Sequence, residues 1–362
     1  MKKNYFILSI LAILCLCTSV FAQTIRRCNN NAGITGLNVY TTIQAAHDAA
    51  SDGDIIYVEP SNDDYGHLNS SKRLTIIGNG YFLDQNTNTP FNKLSSRIGN
   101  ITFGAGSALT KLIGVIATGV SLQADNITVS RCYLKSNGIN YISGNNCIIS
   151  NCFMTSTINN GTGLNTIING NIIFQPEQWA ITNMKNAAII NNIIYSQVTG
   201  YFGSGNPIPA PIQNSDNCTI SNNIFDFRDA GVNAQALGCG NSPCLNNNSV
   251  SNNICLTRNG LPAGNGNING ASATTTFQVT NPWDGYSIYN KNFTQDAIFQ
   301  LAVGSPAIGI GTGGTNAGAF GGANPYVLSG LPPVPITTKY DVTGAGNTNV
   351  PIQVSVTVRS NN

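Results

Sequence analysis

Charged residues are scarce in this chain of 362 residues. Aspartate, glutamate, lysine and arginine together make up 9% of the sequence, whereas about 25% is usual in globular proteins. The surface must therefore consist mainly of asparagine, serine, threonine, glutamine and glycine. This composition excludes an extensive charged binding surface, and the shortage of ionisable side chains argues against acid–base catalysis.

Long apolar runs are also absent, except at the N-terminus. Lys2 and Lys3 precede an apolar stretch at residues 5–16, and small residues then predict cleavage before Gln23. We therefore expect residues 1–22 to be a secretory signal peptide. Since no other segment is long and apolar enough to cross a bilayer, we expect a secreted or cell-surface protein without a membrane span.

The chain that would remain after cleavage has no net charge. Cleavage would remove two of the 17 basic residues and none of the 15 acidic residues, so the two numbers become equal. Binding to nucleic acid or to an anionic membrane depends on an excess of basic residues. We expect neither partner.

Eight of the ten cysteines follow the predicted signal peptide, and an exported chain can oxidise them. Cys239 and Cys244, in the loop GCGNSPC, are the best local candidates for a disulfide. Cys132 and Cys152 would lie on neighbouring coils, where they could form a bridge or remain free and buried. We expect no metal site, since the cysteines lack zinc-ligand spacing and both histidines lie far from them.

One short phrase recurs six times and organises the chain. Its copies are NITVSRCYL at 126, NCIISNCFM at 146, NTIINGNII at 165, NAAIINNII at 186, NCTISNNIF at 217 and NNSVSNNIC at 247. Successive copies begin 20, 19, 21, 31 and 30 residues apart. Each copy predicts a short strand, a bend and a second strand. A unit this small must stack on its neighbours to bury its apolar side chains, so the repeat predicts an all-β parallel β-helix.

Two positions of the phrase form files along the predicted stack. The seventh position holds Cys132, Cys152, Asn171, Asn192, Asn223 and Asn253. Asparagines about 4.8 Å apart can exchange amide hydrogen bonds and tolerate a left-handed bend, so we expect a structural ladder. The eighth position holds Tyr133, Phe153, Ile172, Ile193, Ile224 and Ile254, for which we expect the apolar interior of the coil.

The two ends of the repeat region resemble a known family. The segment TIQAAHDAASDGDIIYV, in which Thr41 or Thr42 caps a predicted helix, resembles the opening of the pectate-lyase-like right-handed β-helix superfamily. SPAIGIGTGGTNAGAFGG at residues 305–322 resembles its closing turn. The resemblance covers roughly residues 38–322 and implies a right-handed, three-faced coil with an N-terminal helical cap. It is nearer to exported members from polysaccharide-degrading bacteria than to the enzymes of known mechanism.

The predicted domain organisation has three parts: the signal peptide, the β-helix with its cap at residues 23–325, and a C-terminal region at residues 326–362. That last region is proline-rich at first and then alternates apolar and polar residues. We expect a strand near its end to pair with residues 336–342 and cover the last coil. A sorting tail is the alternative.

Two repeats are lengthened by inserts at residues 198–214 and 229–246, which we expect to project from one edge and form a groove wall. Tyr201 and Phe202 in the first insert are candidates to stack on sugar rings. The alternative is that they pack their own loop onto the coil.

Charged side chains gather near the same edge. Arg228 and Arg258 share the twelfth position of adjacent phrases, with Asp226 and Asp229 beside Arg228 and Glu177 two coils earlier. A structural network of arginines and carboxylates explains this group. The alternative is a uronate site, with Arg228 as clamp or base, Asp226, Asp229 and Glu177 as acidic partners, and Arg258 as a ligand-binding residue.

The leading expectation is an exported, monomeric β-helix without catalysis, which binds polysaccharide or a cell-surface glycan or serves as a structural or adhesive protein. The alternative is a polysaccharide lyase or glycoside hydrolase acting on a uronate-containing polymer. We expect no cofactor, and calcium only if the protein is a lyase.

Overall fold

The chain forms a stack of β-coils in a computed structural model. The structure describes residues 23–175, 179–196, 210–226, 235–239, 242–243, 247–256, 258–279, 296–344, 346 and 351–360. The predicted signal peptide and most of both inserts lie outside these ranges.

Short strands account for most of the regular structure. The N-terminal part contains β1 (Ile25–Cys28), β2 (Val39–Tyr40), β3 (Ile55–Val58), β4 (Leu68–Ser70), β5 (Thr75–Ile77), β6 (Arg97–Phe103), β7 (Lys111–Ile113) and β8 (Ile116–Leu122). The repeat region begins with β9 (Thr128–Ser130), β10 (Tyr133–Ile142), β11 (Ile148–Ser150), β12 (Phe153–Met154), β13 (Ile158–Asn160), β14 (Ile167–Asn169), β15 (Ile172–Gln175), β16 (Ile181–Thr182), β17 (Ala188–Ile190) and β18 (Ile193–Ser196). It continues with β19 (Ile212–Gln213), β20 (Thr219–Ser221), β21 (Ile224–Asp226), β22 (Leu237–Cys239), β23 (Ser242–Pro243), β24 (Ser249–Ser251), β25 (Ile254–Leu256) and β26 (Ile268–Ala271). The last two strands are β27 (Ile336–Thr343) and β28 (Gln353–Arg359).

Helices are few and short. The described residues contain α1 (Ile43–Ala49), α2 (Ala273–Thr276) and 3-10 turns at Ala297–Phe299, Thr312–Gly314 and Leu328–Gly330. Helix α1 lies against the first coils, and Thr42 caps it by accepting a hydrogen bond from the Ala45 N–H at 3.2 Å. None of the described helices has the length and apolarity needed to cross a membrane.

The strands build the three faces of a parallel β-helix, so the expected fold class is confirmed. The first face is an 11-stranded sheet in the order β2-β1-β3-β5-β7-β9-β11-β14-β17-β20-β24. The remaining strands of the coils form a second, larger sheet that contains the long strand β10. Because β10 pairs with both β12 and β13, this larger sheet is divided into two faces. The second face continues through β12, β15, β18, β21, β25 and β26, and the third face through β13, β16, β19 and β22.

Left-handed backbone on both sides of the first-face strand in each of the six phrases explains why these six strands are only three residues long. In the six phrases, the first residue is always asparagine and has φ between 52° and 59°. The sixth residue has φ between 54° and 66° and is Arg131, Asn151, Gly170, Asn191, Asn222 or Asn252. Asparagine and glycine adopt this conformation most readily. The expectation that the seventh position makes the left-handed bend is therefore wrong, because the residue before it does so.

The seventh residues are fully buried and turn their side chains into the stack. Asn192 is typical: its Oδ1 accepts hydrogen bonds from the Asn171 backbone N–H and from Asn171 Nδ2, both at 3.0 Å. Its Nδ2 donates to Asn223 Oδ1 at 3.0 Å and to the Ile168 carbonyl at 2.9 Å. Every hydrogen-bonding atom of this buried amide therefore has a partner, as burial of a polar group requires.

The file extends beyond the four asparagines in both directions. Asn267, outside the six phrases, accepts from the Asn253 N–H at 3.1 Å and ends the ladder. At the other end, the Cys152 N–H donates to Asn171 Oδ1 at 2.9 Å, and the Cys132 N–H contacts Cys152 Sγ at 3.5 Å. The two cysteines thus occupy the seventh position, which asparagine holds in the later coils, and the hydrogen bond between them is weaker. Both are free thiols.

The eighth residues lie outside the coil, where all but the partly buried Tyr133 are buried, so the expectation that they fill its interior is wrong. The interior contains the fourth and ninth residues of the phrases, such as Ile189 and Ile194. Phe153, Ile172 and Ile224 belong to a second apolar cluster, which also includes side chains from the C-terminal part of the chain. The reason is strand alternation: neighbouring residues point to opposite faces, and the ninth position points inward.

A segment that we call the C-terminal strap, residues 305–332, covers part of the second face. It runs back along the stack from the last coils to the first, and three hydrogen bonds mark its path: Asn252 Nδ2 to the Ile310 carbonyl at 2.7 Å, the Gly318 N–H to the Asn222 carbonyl at 2.8 Å, and Arg131 Nη1 to the Leu331 carbonyl at 2.7 Å. Each of these contacts involves the sixth residue of a phrase. The segment that resembled a closing turn is thus part of a strap spanning several coils.

A buried polar cluster joins the strap to the N-terminal coils. Asp296 accepts hydrogen bonds from the Ser329 N–H at 2.6 Å and from Asn86 Nδ2 at 2.9 Å. The hydroxyls of Tyr81 and Tyr326 lie 2.6 Å apart beside it. Burial raises the pKa of the Asp296 carboxyl above its usual range, although these hydrogen bonds oppose the shift.

Strands β27 and β28 pair in antiparallel orientation, but they do not cover the last coil as expected. The Phe91 N–H donates to the Thr337 carbonyl at 2.7 Å, and the rings of Phe91 and Tyr340 lie 6.1 Å apart. These contacts place the hairpin beside the N-terminal part of the stack. The strap explains why the hairpin lies there, because the chain returns along the stack to the N-terminal coils before the hairpin begins.

The ladder should contribute strongly to stability. We expect Asn192→Ala to lower the free energy of unfolding by about 1–3 kcal/mol, because it leaves the buried Asn171 N–H without a partner. Asn169→Ala is the matched control, since its side chain accepts a partly exposed hydrogen bond from Asn191. Urea unfolding measures both variants, and equal losses would contradict the structural role of the ladder.

Alanine substitution of two glycines in the strap tests how closely the strap packs against the second face. A Cβ on Gly318 would lie 2.7 Å from Ile224 Cδ1, whereas one on Gly309 would meet nothing within 4 Å. Both glycines have positive φ, so alanine causes similar backbone strain at each. We expect Gly318→Ala to destabilise the protein by about 1–3 kcal/mol more than Gly309→Ala in thermal unfolding. A strap that is loosely attached would give no difference.

Candidate functional site

Most of the residues predicted for the charged site, for stacking on sugar rings and for the local disulfide lie outside the described residues. These are Glu177, Tyr201, Phe202, Arg228, Asp229 and Cys244. The backbone of Cys239 is described as part of β22, but its side chain is not. Of the predicted group, the structure describes Asp226 and Arg258.

Asp226 and Arg258 lie on adjacent coils near the thiol of Cys255. Asp226 ends β21 and is buried, and Arg258 follows β25 and is half-buried. The pKa of Cys255 is raised to about 12, chiefly by burial; the negative charge of Asp226 also raises it, and the positive charge of Arg258 lowers it. The two charged residues therefore occupy one neighbourhood.

The inserts interrupt the same edge of the coil. The first follows β18 and has β19 at its end, and the second follows β21 and contains β22 and β23, so the described ends of both inserts belong to strands rather than to projecting loops. The steps from β18 to β19 and from β21 to β22 each lead from the second face to the third face. The described part of the third face beside this edge carries a depression.

The depression is a polar groove of about 680 Å³ on the third face. It is lined by Ser136, Asn137, Asn140, Ser156, Thr157, Asn159, Trp179, Thr182, Asn183, Gln213 and Asn214. These residues come from four successive coils that include β10, β13, β16 and β19. All eleven are uncharged at neutral pH.

Hydrogen bonds between coils hold the polar side chains of the groove in place. Asn159 Oδ1 accepts from Thr182 Oγ1 at 2.8 Å and from Asn183 Nδ2 at 3.1 Å. Thr157 Oγ1 donates to the Trp179 carbonyl at 2.8 Å. Because these contacts join adjacent coils, they orient the lining groups before any ligand arrives, which reduces the entropy lost on binding.

Trp179 is the only aromatic side chain among the lining residues, and 39% of its surface is exposed. An indole at the side of a polar groove offers an apolar plane beside hydrogen-bonding groups. This combination suits a ligand with one apolar face and a rim of hydroxyls. Among the described residues, those that line the groove include no carboxyl, imidazole, thiol or amine.

The lining of this groove was not predicted, although a pattern for it is visible in the sequences of the third-face strands. Three of them read isoleucine followed by two polar residues: Ile158-Asn159-Asn160, Ile181-Thr182-Asn183 and Ile212-Gln213-Asn214. The intervals between these triplets vary because connections of different lengths precede each one. Only alignment by coil, with the inserts removed, brings the triplets together.

Comparison with known protein families finds no family model that matches this chain, and comparison with curated proteins finds no similar sequence. Among the described residues, no three histidine, cysteine or acidic side chains are grouped so that they could hold a metal ion. The functional conclusion therefore rests on the chemistry of the groove.

The described thiols should be unreactive in the folded protein. Cys28, Cys132, Cys147, Cys152, Cys218 and Cys255 are buried and free. Burial raises the pKa of Cys28 and of Cys255 to about 12, so almost no thiolate exists at pH 8. We expect iodoacetamide at pH 8 to label these six sites only after denaturation, as measured by peptide mass spectrometry. Rapid labelling of Cys255 in the native protein would contradict this arrangement.

Proposed function

We propose that this protein is an exported, monomeric β-helix that binds a neutral polysaccharide in the third-face groove without catalysis. The observation that carries the proposal is the lining of the groove: ten uncharged polar residues beside one exposed tryptophan. Sugar hydroxyls exchange hydrogen bonds with amides and hydroxyls, while the flatter face of a sugar ring packs on an aromatic plane.

The shape of the site supports a polymer as the ligand. The groove crosses four coils and is open to solvent along the face, so a chain can enter without threading. Hydrogen bonds between coils hold the groove's side chains in place. A polymer could therefore make similar contacts with several coils, rather than one deep contact with a single coil. In this proposal the protein is a distant member of the pectate-lyase-like superfamily that acts outside the cell, at the cell surface or in the medium.

Trp179 should provide a measurable share of the binding energy. We expect Trp179→Ala to raise the dissociation constant for uncharged hexasaccharides about tenfold, equivalent to about 1.4 kcal/mol. Isothermal titration calorimetry with gluco-, xylo- and manno-oligosaccharides measures this effect. Phe91→Ala is the matched control, because Phe91 is an exposed aromatic residue that does not line the groove.

The same titrations test the class of ligand. The absence of ionisable side chains from the lining predicts that binding changes little with salt and that oligogalacturonate does not bind more tightly than uncharged sugars. Assays for reducing ends and for the ultraviolet absorbance of unsaturated ends, with Arg228→Ala alongside, test the alternative of a lyase or hydrolase. Cleavage that disappears in Arg228→Ala would overturn the non-catalytic proposal, and so would equal affinity of Trp179→Ala and wild type for every ligand.

A further inference from the structure

Strand β10 has one residue more than its neighbours at the point where it borders the groove. It pairs with β8 on one side and with β13 on the other, and its register shifts against both strands at the same place. Between Ile139 and Ile142 it contains two residues, Asn140 and Tyr141, whereas β8 and β13 each contain a single residue at the corresponding position. This arrangement is a β-bulge.

The bulge changes the direction of one side chain. Neighbouring side chains of a regular strand point to opposite faces, so Tyr141 would point into the coil when Asn140 points outward. Here both are exposed, Tyr141 by 40%, while Ile139 and Ile142 on either side of them are buried. The extra residue thus places a tyrosine on the outer surface, next to Asn140, which lines the groove. Bulges are over-represented beside active sites, where they re-aim a side chain in this way.

The next coil leaves room for the tyrosine ring. A Cβ added at Gly161 would lie 2.7 Å from Tyr141 Cζ and closer still to Cε2, so the atoms would overlap. The ring therefore lies against the backbone of Gly161, an approach that only glycine permits. One side of the ring is supported by the coil, and the exposed remainder faces solvent.

Stability of the coil does not explain the bulge and the glycine. A regular strand with an apolar residue pointing inward would keep the ladder of β10 intact and would bury more apolar area. The chain instead presents an aromatic side chain to solvent beside a polar groove. Exposed aromatic rings in such places suit ligands that have both an apolar face and hydroxyl groups.

Tyr141 and Trp179 border the groove from opposite sides. The pairing of β13 with β16 places Trp179 opposite Ser156, and Gly161 lies five residues further along the coil that contains Ser156. With a rise of about 3.3 Å per residue, roughly 15 Å separates Trp179 from the position of the tyrosine ring. Asn159, which also lines the groove, lies between them. A disaccharide is shorter than this separation, and an extended hexasaccharide is longer.

We propose that Tyr141 forms a second aromatic subsite, on which one sugar ring packs while another packs on Trp179. The proposal rests on the proposed function for the chemical class of the ligand, an uncharged glycan, and it adds the length and direction of the bound chain. That chain crosses the coils obliquely, from Trp179 to Tyr141, over the amides of Asn140 and Asn159. The groove therefore selects chains that are long enough to reach both rings.

Calorimetric titration with a disaccharide and a hexasaccharide of the same uncharged sugar tests the proposal. We expect Tyr141→Ala to raise the dissociation constant of the hexasaccharide about fivefold, because one stacking surface is lost, and to leave that of the disaccharide unchanged. Trp179→Ala should raise both constants. Tyr340→Ala is the matched control, since Tyr340 is an exposed tyrosine in the C-terminal hairpin, and it should change neither.

Two further variants separate the position of the ring from its presence. In Gly161→Ala, the three atoms nearest to the new Cβ all belong to the Tyr141 ring, and the backbone of Gly161 is not left-handed. We therefore expect the ring to be displaced and the affinity for the hexasaccharide to fall as in Tyr141→Ala. Tyr141→Phe keeps the ring and should bind as the wild type does. Thermal unfolding shows whether each variant folds.

The outcomes distinguish this inference from the proposed function. Equal hexasaccharide affinity of Tyr141→Ala and wild type, with weaker binding by Trp179→Ala, would overturn the second subsite and leave the proposed function standing. An equal loss of affinity for both lengths in Tyr141→Ala would also overturn it, by showing a general disturbance of the groove. Failure of the wild type to bind any uncharged oligosaccharide would overturn the proposed function and this inference with it.

Discussion

Each coil of this protein depends on one corner, where a buried side chain hydrogen-bonds to the same position of the next coil. At Asn171, Asn192, Asn223 and Asn253 the amide accepts from one neighbour and donates to the other. The residue before each amide has a left-handed backbone, which turns the chain between the first and second faces. A short polar phrase can therefore specify a stack of many coils, although each coil alone has almost no core.

The corner has a second role on the outside of the coil. The sixth residues of the phrases contact the C-terminal strap, which covers the apolar eighth residues of the second face. The described residues thus form two large apolar clusters separated by one layer of strands, and a small third cluster around Leu83 and Leu331. Contacts between residues far apart in sequence, such as Asp296 with Asn86, close the strap over the N-terminal coils.

The parts of the fold that follow from local repetition could be predicted, and the parts that depend on distant contacts could not. Spacing of the phrases indicates the parallel coil, and the file of asparagines indicates which residues stack. Burial of Ile224 outside the coil follows from the path of the strap, about 90 residues further along the chain, and no periodicity reveals that path. Asn267 was missed for a related reason, because the phrase around it has lost the other features of the repeat.

Function was harder to predict because the informative residues are ordinary ones. Charged side chains such as Arg228 attract attention in a chain with few charges, yet the groove is lined by asparagine, serine, threonine and glutamine. These residues are common throughout the sequence, and only their placement on adjacent coils beside Trp179 gives them a shared role. Their neutral chemistry links the low charge of the chain to the class of ligand that we propose.

The central claim is that the third-face groove binds an uncharged glycan chain, and hydrogen–deuterium exchange with and without a bound hexasaccharide tests it most directly. Our account predicts slower exchange in peptides that contain β13, β16 and β19 and the residues around Trp179, with little change in the N-terminal coils or the hairpin. Protection confined to any other part of the stack, with unchanged exchange along these strands, would contradict it.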